Sequence, residues 1–133
     1  MAESRQFSCS VVTPEKVVFE REVRFVAVPA HDGEIGFLRG RAPIVVKLDV
    51  GRLRIETEKG VEELFIDGGF AEMVHNRLTI LTEDAKRTED LDPEQVRTLR
   101  EEAVSQSAVG EEAFADRQRA LKRARAQLRM LGK

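Results

Sequence analysis

The repeat of apolar residues changes once along this chain, near residue 88, and that change limits the fold more than any other feature. Before it, short β-branched runs alternate apolar and polar residues, the two-residue period of a half-buried strand. After it, the chain is rich in Ala, Leu, Glu and Arg, and its apolar residues recur at helical spacing. Seven of the nine glycines precede the change, as do Pro14, Pro29 and Pro43. The order implies an α+β protein. An N-terminal antiparallel β-sandwich or barrel over residues 1–88 is followed by a C-terminal antiparallel two-helix hairpin over 89–133.

The strand half divides into eight runs. Phe7–Val11 alternates cleanly, and Val23–Val28, Glu34–Leu38 and Ile44–Leu48 follow. Arg52–Thr57 and Val61–Ile66 flank Glu58-Lys59-Gly60, which reads as a hairpin turn. Phe70–Val74 and Leu78–Leu81 flank a tight turn expected at Asn76-Arg77. In the helical half, Asp92-Pro93-Glu94-Gln95 is a start signal: Asp92 as N-cap, Pro93 at the first helical position, Gln95 placed to close a capping box. Val96, Leu99 and Ala103 make one narrow apolar stripe. Ser105–Gly110 interrupts the pattern, and a second helix from about Glu111 carries Phe114, Leu121, Ala124, Leu128 and Leu131 on one face. Both stripes are thin, so the hairpin needs the β domain or a partner for stability.

Charge is sorted within this half. Nine acids and two bases lie between Glu89 and Asp116, whereas Arg117, Arg119, Lys122, Arg123, Arg125, Arg129 and Lys133 follow with no acid among them. One reading is a solvated helix whose bases suit its own C-terminus. The other is a movable cationic helix that seeks an acidic surface.

Composition removes several function classes. A net charge of −2 argues against general attraction to nucleic acid, and seven Phe with no Trp or Tyr supply no base-stacking platform. A lone cysteine, Cys9, excludes an internal disulfide and reads as a small core residue, and two histidines are too few for a His-built metal centre. No metal site is expected. Neither a signal peptide nor an apolar run of membrane-spanning length is visible. The sequence has no nucleophile elbow, phosphate loop or zinc helix. His31-Asp32-Gly33-Glu34 reads as a turn, or alternatively as a His–carboxylate site in a β-sandwich enzyme using His31, Asp32 and Glu34. A nucleic-acid-binding module using the basic last helix is a further alternative. A binding or regulatory module is the favoured class.

One stretch is specific enough to name a family. Gly33-Glu34-Ile35-Gly36-Phe37-Leu38-Arg39-Gly40-Arg41-Ala42-Pro43-Ile44 resembles the G-E-L/I-G-hydrophobic-x-x-G-H-A-P-L signature of the epsilon subunit of F-type, proton-translocating ATP synthases. Further segments resemble that family in the same order: Val50–Ile55, Asp67–Met73, Leu78–Ala85, Glu89–Asp92 and Ala120–Leu128. The resemblance implies a non-catalytic subunit of the rotary central stalk. It implies contact with the gamma subunit and c-ring through the sandwich, and inhibition of ATP hydrolysis through helices that reach the catalytic alpha and beta subunits. It places Asp32, Gly33 and Glu34 on the c-ring contact and Arg41, Ala42 and Pro43 near gamma, with Arg41 replacing the family's usual His. Arg119, Lys122, Arg123 and Arg129 become the expected inhibitory contacts. Some members bind ATP in the hairpin through I/L-D-x-x-R-A. Here Leu91 and Asp92 match but Gln95 and Val96 replace the Arg and Ala, which leaves Asp92, Arg119 and Arg123 as a weakened nucleotide set and no cofactor expected. With no targeting segment visible, the expected location is the cytoplasmic face of a bacterial plasma membrane or an equivalent energy-coupling membrane, touched only through the complex.

Overall fold

Strand β1 (Phe7–Val12) buries Phe7, Cys9 and Val11 and turns the residues between them outward, as its alternation requires. The computed structural model describes residues 5–105 and 110–132. Met1–Ser4, the Gln106–Val109 part of the expected interruption, and Lys133 lie outside the described residues. The other strands are β2 (Val17–Val23), β3 (Phe25–Ala30), β4 (Gly33–Phe37), β5 (Ile44–Thr57), β6 (Gly60–Val74), β7 (Arg77–Leu81) and β8 (Ala85–Arg87). The order across the sheet is β2-β1-β7-β6-β5-β3-β4, with β8 also paired to β6. All pairs are antiparallel except β1 with β7, which is parallel.

The two long strands make the sandwich. The first part of β5 pairs with the last part of β6, which continues through β7 and β1 to β2. The second part of β5 pairs with the first part of β6 and carries β3 and β4 on one side and β8 on the other. The inward-facing residues change parity along β6, from Leu64 and Ile66 to Ala71 and Met73. Gly68 and Gly69, with φ of 72° and 112°, lie at that change. A Cβ on Gly69 would stand 1.8 Å from the carbonyl oxygen of Leu81, so only glycine fits this corner. The core between the layers includes Phe7, Val26, Phe37, Leu53, Ile55, Leu64, Met73 and Ile80.

Strand boundaries differ from expectation in four places. Ile44–Leu48 and Arg52–Thr57 are one strand, as are Val61–Ile66 and Phe70–Val74. Gly51 does not end β5; a Cβ there would meet the Pro29 ring at 2.8 Å, so this glycine admits a neighbour rather than a turn. The expected Val23–Val28 strand is instead the end of β2 and most of β3. β8 is an additional short strand. The turn before β7 is His75-Asn76, not Asn76-Arg77: both residues have positive φ, 51° and 60°, as a two-residue type I′ hairpin requires.

A 3₁₀ turn (Thr88–Asp90) leads to α1 (Pro93–Ser105) and then α2 (Glu111–Met130). The Asp92 carboxylate accepts the Glu94 N–H at 3.0 Å, the expected cap. Val96 near the start of α1 packs with Ala124 and Leu128 near the end of α2, so the helices run antiparallel. Arg117 of α2 donates to the carbonyls of Ala103 and Val104 at 2.9 and 3.1 Å, closing the exposed end of α1. Leu99 and Phe114, expected in the hairpin stripe, are instead exposed, at 50% and 53%. Leu121, Ala124, Ala126, Gln127 and Leu128 are the buried residues of α2.

Candidate functional site

The two segments expected to make contacts from the sandwich are both exposed. Asp32, Gly33 and Glu34 lie at the tip between β3 and β4, all exposed. His31 and Glu34 border an open groove of about 580 Å³ that also takes in Asp49, Arg52, Lys122, Arg125 and Arg129. This open groove, lined by arginines and bordered by exposed turn residues, does not resemble an enclosed reaction site. Arg41, Ala42 and Pro43 are exposed in the connection from β4 to β5. That connection is pinned from several sides. The Gly40 N–H donates to Asn76 Oδ1 at 2.7 Å, Arg39 donates to the Gln6 carbonyl at 3.0 Å, and the Arg41 guanidinium lies 5.3 Å from the Phe37 ring centre. Arg41 therefore places a cation beside the Phe37 ring where the resembled family has His.

Beyond Pro43 the outer face of the sheet carries large apolar side chains among the charged Lys47 and Glu72. Phe70 lies directly opposite Leu81 on β7 and Lys47 on β5, and Phe70, Leu81 and Val45 are 52%, 52% and 63% exposed. Sequence reasoning placed these residues in strands without separating them from the core. Their signal was position: each is out of phase with the buried Val46, Ala71 and Ile80. A cluster of large exposed apolar side chains on a rigid sheet marks a contact surface.

The four basic residues singled out on α2 have different surroundings. Lys122 Nζ meets Asp49 Oδ2 at 2.6 Å, and Arg123 Nε meets Asp67 Oδ2 at 2.9 Å. Both carboxylates belong to the sandwich, Asp49 on β5 and Asp67 on β6, so these bases hold α2 against it. Burial pushes the Asp49 carboxyl upward, but the Lys122 hydrogen bond, the Val50 N–H and the charges of Lys122 and His31 outweigh it and hold it below the usual carboxylate range. Arg119 pairs with Asp116 on its own helix. Arg129 is exposed at the border of the groove beside the β3–β4 tip.

Phe65 was missed. It is 1% exposed yet lies on the opposite face of β6 from Leu64 and Ile66, which belong to the sandwich core. It borders a cleft of about 620 Å³ with Leu99, Ala103, Ala120, Ala124 and Arg123, so the hairpin is what covers it. Three successive apolar residues, Leu64-Phe65-Ile66, broke the strand alternation and were the available signal.

The expected nucleotide set is not gathered in one place. Asp92 caps α1, Arg123 is engaged by Asp67, and Arg119 is engaged by Asp116. Val96, one turn past Asp92, packs beside Leu128, and Arg119 lies about 13 Å back along α2 from Leu128 at 1.5 Å per residue. Cys9 is buried, and burial pushes its thiol up to about 12, which leaves it protonated and unreactive.

Comparison with known proteins decides the family. Residues 6–88 match the family described as ATP synthase, Delta/Epsilon chain, beta-sandwich domain. The ATP synthase epsilon chain of Rhodopirellula baltica is 40% identical over 121 residues, covering 91% of this chain and 94% of that protein. The chain belongs to the ATP synthase epsilon-chain family. The epsilon chain of Syntrophomonas wolfei is 36% identical over 132 residues, covering 97% of this chain and 96% of the relative. These epsilon-chain matches span the sandwich and the hairpin alike. The fold agrees with a chain of the Euglena gracilis mitochondrial ATP synthase at a TM-score of 0.87 and 24% identity, covering 98% of this chain and 84% of that one. It also agrees with a chain of the Tetrahymena thermophila mitochondrial enzyme's central stalk and c-ring, at 0.69 and 12% identity, covering 96% and 98%. The signature stretch Gly33–Ile44 now has a shape: it is β4, the pinned connection and the first residue of β5.

Proposed function

We propose that this epsilon-family chain is a rotor subunit of the ATP synthase central stalk that carries out no reaction of its own. The sandwich docks on the gamma subunit and the c-ring, and the hairpin opposes ATP hydrolysis by reaching the alpha and beta subunits. The observation that carries this reading is the match to epsilon chains over more than nine-tenths of both proteins, sandwich and hairpin together. The geometry supports the division of labour. The Asp32–Glu34 tip is the proposed c-ring contact. Arg41–Pro43, with the apolar Val45–Phe70–Leu81 face beside it, is the proposed gamma contact. Arg119, Lys122, Arg123 and Arg129 are the proposed contacts to acidic surfaces of the catalytic head. Division at residue 88 into a docking domain and a regulatory hairpin is part of the proposal. No nucleic acid is a partner, and ATP is not bound, in keeping with the dispersal of Asp92, Arg119 and Arg123.

Among the described residues no helix is long and apolar enough to cross a membrane. We place the chain peripherally at the cytoplasmic face of a bacterial energy-coupling membrane, held there through the complex. Reconstitution with purified gamma and c-ring tests the assignment. The chain is expected to co-purify with both, and Phe70→Glu is expected to weaken gamma binding at least tenfold, as placing a charge in a desolvated apolar contact does. A wild-type chain that fails to bind gamma would remove the assignment.

A further inference from the structure

Residues 38–43, between β4 and β5, belong to no strand and are all exposed. Ordering such a segment when a partner binds costs conformational entropy, unless the free chain already holds it in place. The segment begins with a four-residue turn, in which the Arg41 N–H donates to the Leu38 carbonyl at 3.4 Å. Gly40, third in the turn, has a φ of 87°, while Arg39 before it is not at positive φ, the pattern of a type II turn. The N–H of the third residue has no acceptor within such a turn, so its partner must come from elsewhere. For Gly40 that partner is Asn76 Oδ1, at 2.7 Å and 36 residues away in sequence. Only the oxygen end of the amide can accept from an N–H, so chemistry fixes which way the Asn76 side chain is turned.

Asn76 is itself held. It is the second residue of the turn between β6 and β7, at a φ of 60° that Asn tolerates better than most residues. Its carbonyl accepts the Ser8 N–H of β1 at 3.0 Å. Arg39 adds a second tie at the same end of β1, donating to the Gln6 carbonyl at 3.0 Å. The turn therefore rests on two elements anchored by the buried Phe7 and Leu78. We propose that Asn76 is a positioning residue for docking: through Gly40 it fixes the Arg41–Pro43 segment in its binding conformation before the gamma subunit arrives. The inference deepens the docking reading above and rests on it. Leu38, 59% exposed, opens the same turn that Arg41 closes, so one hydrogen bond orders an apolar and a cationic side chain together. Asn76 acts on the partner only through this segment.

Two substitutions separate the side chain from the turn that carries it. Asn76→Gly keeps the backbone conformation, because glycine adopts positive φ freely, and removes the acceptor. Asn76→Asp keeps a residue suited to positive φ and an oxygen in the same place. In the full-length chain, amide hydrogen exchange at Gly40, read by NMR, is expected to quicken about 2- to 10-fold in Asn76→Gly, the scale of one partly exposed hydrogen bond, and to stay near wild type in Asn76→Asp. The dissociation constant for purified gamma, measured by calorimetry, is expected to rise by a similar factor in Asn76→Gly and to be restored in Asn76→Asp. Unchanged exchange at Gly40 in Asn76→Gly would overturn the tie. Quickened exchange with wild-type affinity would overturn the positioning role and leave gamma docking standing. Equal losses of affinity in the two variants would also overturn it, since altering the turn would then be the cause rather than losing the acceptor. A wild-type chain that does not bind gamma would remove the docking reading and this inference together.

Discussion

At the scale of single residues, charge is spent on long-range attachment as well as on solubility. Asp49 and Lys122 lie 73 residues apart in sequence and 2.6 Å apart in space. The Asp49 carboxyl is held below its ordinary value in the fold, so ionisation and docking support each other. The sign follows: a lowered folded pKa contributes stability above the unfolded value, near 3.9, and that contribution is lost as pH falls through the folded value. Wild type and Asp49→Asn are therefore expected to differ in denaturant midpoint by a constant amount near neutral pH. The difference should shrink as pH drops below about 4, measured by urea unfolding at a series of pH values. A difference that persists unchanged at pH 2.5 would count against the ion pair as its source. None of this was legible from Asp49 itself, which in sequence is one acid between Leu48 and Val50.

At the scale of elements, local signals were reliable where the chain supplies its own partners. The Asp92-Pro93 start of α1 is realised with a bond from the Asp92 carboxylate to the Glu94 N–H. Asp92→Ala is expected to cost about 1 kcal/mol and to fray the first turn, seen as faster exchange at Glu94 to Val96 with little change in α2. Local signals misled where a neighbour decides. Gly51 looked like a strand break but stands where Pro29 crosses close to the backbone. Leu99 and Phe114 fit a helical stripe by spacing, yet the stripe that packs is centred on Val96, Ala124 and Leu128. For Phe114, two seven-residue steps from Leu128, the drift of about 20° per step sums to about 40° away from the packed stripe.

At the scale of the whole molecule, the two parts are joined by more than the linker. The hairpin covers Phe65, and two of its cations close on the sandwich. Removing residues 89–133 is expected to leave binding to gamma intact, to raise ATP hydrolysis by the assembled complex, and to uncover Phe65. Hydrolysis assays on the reconstituted complex check the second outcome; unchanged hydrolysis would discard the regulatory role and keep the structural one. The near-neutral total of −2 belongs to this scale too. It conceals an acidic stretch from Glu89 to Asp116 and a basic one after it, and part of that basic charge is balanced by the sandwich.

The sequence by itself determined the α+β order, the strand-rich and helical parts, the cap of α1, and the signature that places the chain in its family. Each of these is carried by neighbours within a few residues, where spacing and backbone preference act directly. Tertiary structure alone decided which faces are shared. The burial of Phe65 on the outer side of β6, the exposure of Phe70 and Leu81 on the same sheet, and the pairing of Lys122 and Arg123 with Asp49 and Asp67 all depend on partners far along the chain. An alternating strand reports that one face is buried. It does not report what, if anything, covers the other, and on this molecule part of the proposed gamma contact lies on that other face.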